Sequence, residues 1–302
     1  MSVVSGLELW QWREEARQRA IDCGVPLEEV DWLLQALTDL QKLDLRLESF
    51  KERSHIPLQM PLTQLTHLWK RRLEDRLPVQ YIAGSTPWRN FLLCVSNSVL
   101  IPRPETECLI DLAIAAVDDP VYCPTVARKA EQWADLGTGS GAIAIGLADI
   151  LTNATIHAVD ISEGALAISQ QNAQSLGFTD RIHFHQGSWF ETLDPLKGQM
   201  NGIVSNPPYI PSQIVNGGLQ PEVAQHEPHL ALDGGADGLD CIRHIVNKAP
   251  DYLQPGGILL FEMMAGQAPN AWQLLNRQGS YQKISIHPDL AGIERFALAY
   301  RS

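Results

Sequence analysis

The run Val204-Ser205-Asn206-Pro207-Pro208-Tyr209 is the part of this 302-residue chain whose residue types point most directly to chemistry. Two consecutive prolines have no N–H to give to a sheet ladder, so a strand reaching Ser205 must end there. Asn206 then offers a side-chain carbonyl oxygen, and the Pro207 main-chain carbonyl is a second acceptor. A planar –NH2 group has two N–H bonds, and these two acceptors can hold both. Tyr209 would pack on the flat face of such an amide or base. A nitrogen held in this way turns its remaining face toward an electrophile, and the acceptors favour the positive charge that develops on it. By itself the run also reads as a plain strand-ending turn; a glycine-rich loop upstream favours the chemical reading.

That loop is Trp133-Ala134-Asp135-Leu136-Gly137-Thr138-Gly139-Ser140-Gly141, a strand followed by a D-x-G-x-G-x-G turn and then a helix. Glycine in such a turn takes φ > 0 and lets the backbone approach a ligand closely. The N–H groups opening the following helix face an anion or a carboxylate. A triphosphate loop would carry G-K-S/T. With no lysine, Gly137, Thr138, Gly139, Ser140 and Gly141 suit a ligand that bears a carboxylate. Asp160 ends the next strand, about 20 residues after the glycines, where an acidic side chain accepts two hydrogen bonds from a ribose diol. Its alternative role as a helix N-cap is filled more naturally by Ser162. The third strand ends at Gln186-Gly187-Ser188-Trp189. Trp189 can flank an adenine ring there, or simply belong to the core.

The elements that must position these residues alternate from Gln132 onward, which is the pattern of a parallel α/β sheet. Strands are expected over Gln132–Asp135, Thr155–Asp160, Ile182–Gln186, Gly202–Ser205, Gly257–Glu262, Lys283–His287 and Arg295–Tyr300, with helices over Ala142–Ile150, Glu163–Leu176, Leu239–Tyr252 and Gln267–Gln278. The tight Asp289-Leu290-Ala291-Gly292 link predicts an antiparallel final pair. Residues 7 to 76 read as helices. Gly24-Val25-Pro26 stops the first, and Val30, Leu33, Leu34 and Leu37 line one face of the second. Leu65, Leu68 and Trp69 face inward from Leu62–Leu73. Between the two regions, Tyr81–Gly84, Phe91–Val95 and Ser98–Ile101 read as short hairpin strands, followed by a helix from Glu105 to Val117 and a loop over residues 118–130. The expected division is therefore a helical domain over 1–76, a β-hairpin linker over 77–104 and an α/β domain over 105–302.

Composition narrows the partners. The net charge is −12, and most of the acidic excess falls after residue 77. Such a chain repels nucleic-acid phosphates unless it gathers basic groups on one face. The longest basic cluster, Lys70, Arg71, Arg72 and Arg76, is interrupted by Glu74 and Asp75 and reads as a solvated helix face. Five cysteines stand far apart with no C-x-x-C pair, so no metal centre is expected and a reduced cytoplasmic protein is the simple explanation. Neither a signal peptide nor a membrane span is visible.

The order of D-L-G-T-G-S-G, A-V-D and N-P-P-Y resembles the class I amino-methyltransferases. Within them, Leu100-Ile101-Pro102-Arg103-Pro104-Glu105-Thr106-Glu107, Pro78–Gly84 and Glu227–Asp240 resemble the release factor glutamine methyltransferase family over about residues 70–302. The first 70 residues match in helical character and length. The resemblance implies a seven-stranded, Rossmann-like class I methyltransferase domain using S-adenosyl-L-methionine, behind a small helical bundle that docks class I peptide chain release factors. It implies that Asn206, Pro207, Pro208 and Tyr209 hold the glutamine amide of a Gly-Gly-Gln loop, with Asn206, Pro207 and Tyr209 catalytic. It also implies that Gly137 to Gly141, Asp160, Trp189 and Asn206 bind the cofactor. Arg103 and Glu105 would lie near the active site, unless Glu105 only caps its helix. The chain departs from the family at Met264, where a glycine is expected, and Glu262 reads as a strand-end structural residue. The competing activities are methylation of a ribosomal-protein glutamine and of nucleic-acid adenine N6. The second needs a flipped base and a basic groove. A non-catalytic cofactor-binding scaffold is opposed by the intact Asn206–Tyr209 run.

Overall fold

A computed structural model describes residues 2–119 and 131–302. The loop expected over 118–130 lies outside the described residues from 120 on, and Cys123 with it. The chain forms two compact units, Met1–Thr86 with Gln220–His226, and Pro87–Leu219 with Glu227–Ser302.

The first unit is built on helices Gly6–Cys23, Glu28–Leu37, Lys42–Leu47 and Leu62–Glu74. Ser5 and Glu8 form a capping box at the start of the first helix, and Gly24 ends it in the left-handed region at φ 64. Val30, Leu33, Leu34, Leu37, Leu65 and Trp69 are buried in one core, with Leu68 only partly covered. The unit is not all helix: β1 (Ser2–Val4) pairs antiparallel with β2 (Ile56–Leu58). Tyr81–Gly84 is not a strand either. Val79–Ala83 is a short helix, entered from Pro78 and left through Gly84 at φ 70. The basic cluster is paired internally rather than simply solvated. Arg72 is buried and bonded to Glu29 (2.6 Å) and Glu222 (2.8 Å), Lys70 and Arg71 pair with Glu74 and Asp75, and Arg76 donates to the Cys23 carbonyl.

The second unit opens with the two-stranded sheet of β3 (Ser85–Trp88) and β4 (Phe91–Cys94), whose first two residues belong to the helical unit. The expected strand over Ser98–Ile101 is irregular chain. The main sheet contains β5 (Glu131–Leu136), β6 (Ala154–Asp160), β7 (Ile182–Gln186), β8 (Met200–Ser205), β9 (Leu253–Glu262), β10 (Tyr281–Pro288) and β11 (Glu294–Arg301). Their order is β10-β11-β9-β8-β5-β6-β7, parallel from β9 to β7, with β11 antiparallel to both β9 and β10.

Alternate residues of each strand feed opposite faces of this sheet. Trp133, Val204 and Leu260 meet the helices Cys108–Val117 and Ala142–Ile150 in one buried layer. Ala134, Ile203 and Phe261 meet Asp240–Tyr252 and Ala268–Gln278 in the other. Trp133 lies directly opposite Gly202 in register, and any β-carbon on Gly202 would enter its ring. Among the described residues no helix is long and apolar enough to cross a membrane.

Candidate active site

In this strand order β5 has β6 on one side and β8 on the other, so consecutive connections leave in opposite directions. A crevice opens beyond the carboxyl ends of the strands at such a switch point. Leu136 and Ser205 are register partners, so the glycine loop and the Asn206–Tyr209 run emerge side by side.

Gly137, Gly139 and Gly141 all have positive φ (76, 55 and 83). The Gly137 and Thr138 N–H groups both donate to the Val159 carbonyl at 2.9 Å. Asp160 closes the loop, its two oxygens accepting from Gly139 N and Ser162 N at 2.9 Å each. Ser162 does cap the helix Glu163–Ser175, accepting from Ala165 N.

The loop residues divide by direction. Gly137 and Gly139 line a cavity of about 280 Å3, together with Asp160, Trp189, Asn206 and Pro208. Thr138, Ser140 and Gly141 are not among its lining residues and fasten the loop from behind. The Thr138 hydroxyl donates to Asp135 at 2.6 Å, and the Ser140 carbonyl accepts from Asn172 at 2.8 Å. A β-carbon on Gly141 would collide with Ser169. Asn172, unremarked in the sequence, is fully buried and also exchanges two bonds with the Cys94 backbone, which ties β4 to this loop. Burial pushes the Asp135 carboxyl up to about 7, against the bonds it accepts from Thr138 and Ala144.

Trp189 has φ 52, a left-handed conformation that a bulky side chain seldom adopts, and its ring covers Gly137. The cavity offers an aromatic wall, the Asp160 carboxylate and side-chain-free backbone at Gly137 and Gly139. A β-carbon at Gly139 would meet open space. Those groups match the purine, ribose diol and amino-acid end of S-adenosyl-L-methionine.

On the β8 side, Asn206 Nδ2 donates to Thr106 Oγ1 at 3.1 Å, and Thr106 donates in turn to Glu262 Oε2 at 2.7 Å. The other Glu262 oxygen accepts from the Tyr209 hydroxyl at 2.9 Å. Burial raises the Glu262 carboxyl above the usual range, opposed by the two hydroxyls and by Arg295. Burial and Glu262 together raise the Tyr209 phenol, so it stays protonated. Pro207 is buried, and neither it nor Tyr209 is among the cavity-lining residues. Among the described residues, none donates to the Asn206 side-chain oxygen or the Pro207 carbonyl.

The loop is clamped from outside. Ile210 exchanges bonds with Leu232 (3.0 Å) and Gly234 (2.9 Å), and Gln267 Nε2 reaches the Tyr209 carbonyl at 3.0 Å. A β-carbon on Gly234 would strike Pro208 and Tyr209, which is why glycine stands there.

Arg103 pairs with the buried Glu227 at 2.6 Å. Glu105 is exposed and opens a 3-10 turn without capping it. The residue missed in this segment was Thr106, whose only sequence signal is a small hydroxyl between two glutamates. Met264 carries no positive φ; the left-handed position of its turn is Gly266 (φ 89), so a side chain at 264 is accommodated.

A family model described as a methyltransferase domain matches residues 127–287. The release factor glutamine methyltransferase of a Synechocystis strain is 52% identical over 98% of this chain and 97% of its own length. That of Thermosynechococcus vestitus is 48% identical over 90% of each chain. The solved hMettl16 catalytic domain, in complex with an MAT2A 3′UTR hairpin, is 14% identical with a TM-score of 0.53, covering 89% of this chain and 88% of that one. It shares the fold alone. The sheet order, the cofactor-sized crevice at its switch point and identity along nearly the whole chain make this protein an S-adenosyl-L-methionine-dependent methyltransferase belonging to the release factor glutamine methyltransferase family.

Proposed function

We propose that this protein methylates the side-chain amide nitrogen of the glutamine in the Gly-Gly-Gln motif of class I peptide chain release factors. The observation that carries this reading is the state of Asn206: its amide nitrogen is committed to Thr106, while its oxygen and the Pro207 carbonyl have no internal donor among the described residues. Asn206 lines the cavity and the Pro207 carbonyl follows directly behind it in the chain, and two such acceptors suit the two N–H bonds of a primary amide. Asn206 and Pro207 orient the nitrogen. Pro208 and Tyr209 shape the slot around it, and the Tyr209 hydroxyl is anchored on Glu262. Gly137, Gly139, Asp160 and Trp189 hold the cofactor, with Thr138, Ser140 and Gly141 keeping the loop in shape. When bound, S-adenosyl-L-methionine supplies an electrophilic methyl group on a sulfonium centre. This chain then contributes alignment and stabilisation of developing positive charge on nitrogen, and the amide gives up one of its two N–H protons to solvent as the N–C bond forms. The helical unit docks the release factor. Its basic cluster is already paired internally, and the chain is strongly acidic, which weighs against a nucleic-acid substrate. The four described cysteines are free thiols, which supports a reducing, cytoplasmic setting.

The test is methyl transfer from labelled S-adenosyl-L-methionine to a purified release factor, a ribosomal protein and duplex DNA in parallel, followed by peptide mass mapping. Label on the Gly-Gly-Gln glutamine alone is the expected result. Incorporation into adenine or into the ribosomal protein at a matching rate would overturn the assignment.

A further inference from the structure

The chain Asn206–Thr106–Glu262–Tyr209 joins side chains from three separate parts of the sequence, and only Asn206 lines the cavity. A side-chain carboxamide can in general present either its oxygen or its nitrogen, and the choice follows from the neighbouring donors and acceptors. Here an ionised Glu262 accepts only. Its oxygens are filled by the Tyr209 and Thr106 hydroxyls, at 2.9 and 2.7 Å. Thr106 has one proton and spends it on Glu262, so toward Asn206 it can only accept. Asn206 must therefore turn its nitrogen to Thr106, which leaves its oxygen available.

We infer that Thr106 and Glu262 are positioning residues that set the carboxamide of Asn206 acceptor-outward, and that this setting depends on Glu262 being ionised. A protonated Glu262 can donate to Thr106. Thr106 is then free to donate to Asn206, which turns its oxygen inward and presents N–H groups to the –NH2 of the substrate amide, two donors facing each other. The inference rests on the reading of Asn206 as the group that grips an amide.

The groups around Glu262 are Thr106 and Tyr209 in contact, Arg295 on the neighbouring strand β11 (itself bonded to Asp289), and the exposed Glu105 at the start of the Thr106 turn. Arg103 acts on Tyr209 from a distance. Arg295 favours the ionised carboxylate, whereas burial and Glu105 disfavour it. The active form is the deprotonated one, so turnover falls as pH drops through the raised Glu262 value.

The experiment compares the parent with Thr106→Val, Thr106→Ser and Glu262→Gln in single-turnover methyl transfer to release factor from pH 5 to 9, with cofactor affinity by calorimetry. Glu262→Gln keeps an acceptor for Tyr209 and gives Thr106 a donor, so it mimics the protonated state. Thr106→Val and Glu262→Gln are expected to lose roughly 100-fold in rate, the lower end of the range for one preorganised hydrogen-bonding partner. Cofactor affinity should stay within about threefold, since neither side chain lines the cavity. Thr106→Ser should recover most of the rate, and the acid limb of the parent should vanish in Glu262→Gln. A folded Thr106→Val that turns over within a few-fold of the parent, or an acid limb that survives in Glu262→Gln, overturns the inference. A second readout needs no substrate: the Asn206 side-chain NH2 resonances in a 15N-labelled protein. One proton is expected to be displaced by the Thr106 bond, to titrate with Glu262 and to relax in Thr106→Val. Resonances indifferent to both changes also overturn the relay. If the parent fails to methylate release factor, the substrate assignment falls while these resonances still decide the relay.

Discussion

Asp160 at the end of β6 and Asn206 just past β8, on either side of β5, divide the work of the site, and variants should separate them. Among the described residues the Asn206 side chain lines the cavity and bonds only Thr106, so Asn206→Ala leaves the glycine loop and Asp160 untouched. Turnover should fall by roughly two to three orders of magnitude, with little change in folding or cofactor affinity. Asn206→Asp keeps an acceptor and should retain more activity than alanine. Asp160 bonds Gly139 and Ser162 in addition to facing the cavity. Asp160→Ala should therefore weaken cofactor binding by roughly 1–3 kcal/mol, the cost of charge-assisted bonds left unmade. Single-turnover transfer at saturating cofactor and calorimetric affinity distinguish the two. An Asn206→Ala rate within a few-fold of the parent would show that this residue does not orient the nucleophile.

The elements hold these residues through close packing rather than through the site itself. On β5 and β8, which deliver the glycine loop and Asn206, the Trp133 ring lies over Gly202 and leaves no room for a side chain there. Gly202→Ala forces a methyl group into a fully buried ring, and such overpacking costs about 1–3 kcal/mol. Gly217→Ala is the control. Its β-carbon would meet open space and its φ is not positive, so stability should move by no more than about 0.5 kcal/mol. Denaturant midpoints at unchanged slope measure both. A Gly202→Ala midpoint equal to that of the parent would mean that the Trp133 ring yields at no cost.

Across the whole molecule, two buried titratable groups pull stability in opposite directions between pH 4 and 7. His157 on β6 bonds Gln132 of β5 (2.8 Å) and His185 of β7 (3.0 Å), and stacks on His183. Burial, and then the two neighbouring histidines, lower it to about 4. A histidine depressed in the fold binds its proton more readily when unfolded, so its contribution is present at neutral pH. That contribution is lost as pH falls from its ordinary value of 6.5 toward 4, on the order of 3 kcal/mol in all. Asp135, raised to about 7 by burial, works the other way: its neutral form favours the fold below pH 4, and that favour fades as pH rises through 7. The unfolding free energy of His157→Gln relative to the parent should therefore rise as pH falls from 7 to 4.5, the Asp135 contribution being common to both. Equal slopes would show that His157 does not stay neutral in the fold.

Local chemistry was enough for the sequence to announce most of this architecture. Hydrophobic alternation, glycines where φ must be positive and prolines where a ladder must stop act within a few residues of chain. The seven main strands, the turn after β5 and the end of β8 were therefore legible. The same reasoning explains its failures. Val79–Ala83 is too short for periodicity to separate helix from strand, although Pro78 and Gly84 at its ends are helix signals. What only the tertiary structure decided is which side chains meet. Thr106 and Glu262 are 156 residues apart, and Thr106 and Asn206 are 100 apart. Gln220–His226 leaves the α/β unit to join the helical one through the pairing of Glu222 with Arg72. The glycine loop motif names five residues, but only the direction in which each points, set by Asp135, Asn172 and Ser169 behind the loop, separates the two that face the cavity from the three that fasten it. Long-range pairing is set by burial and by the need to satisfy every polar group in the interior, and neither is visible along the chain.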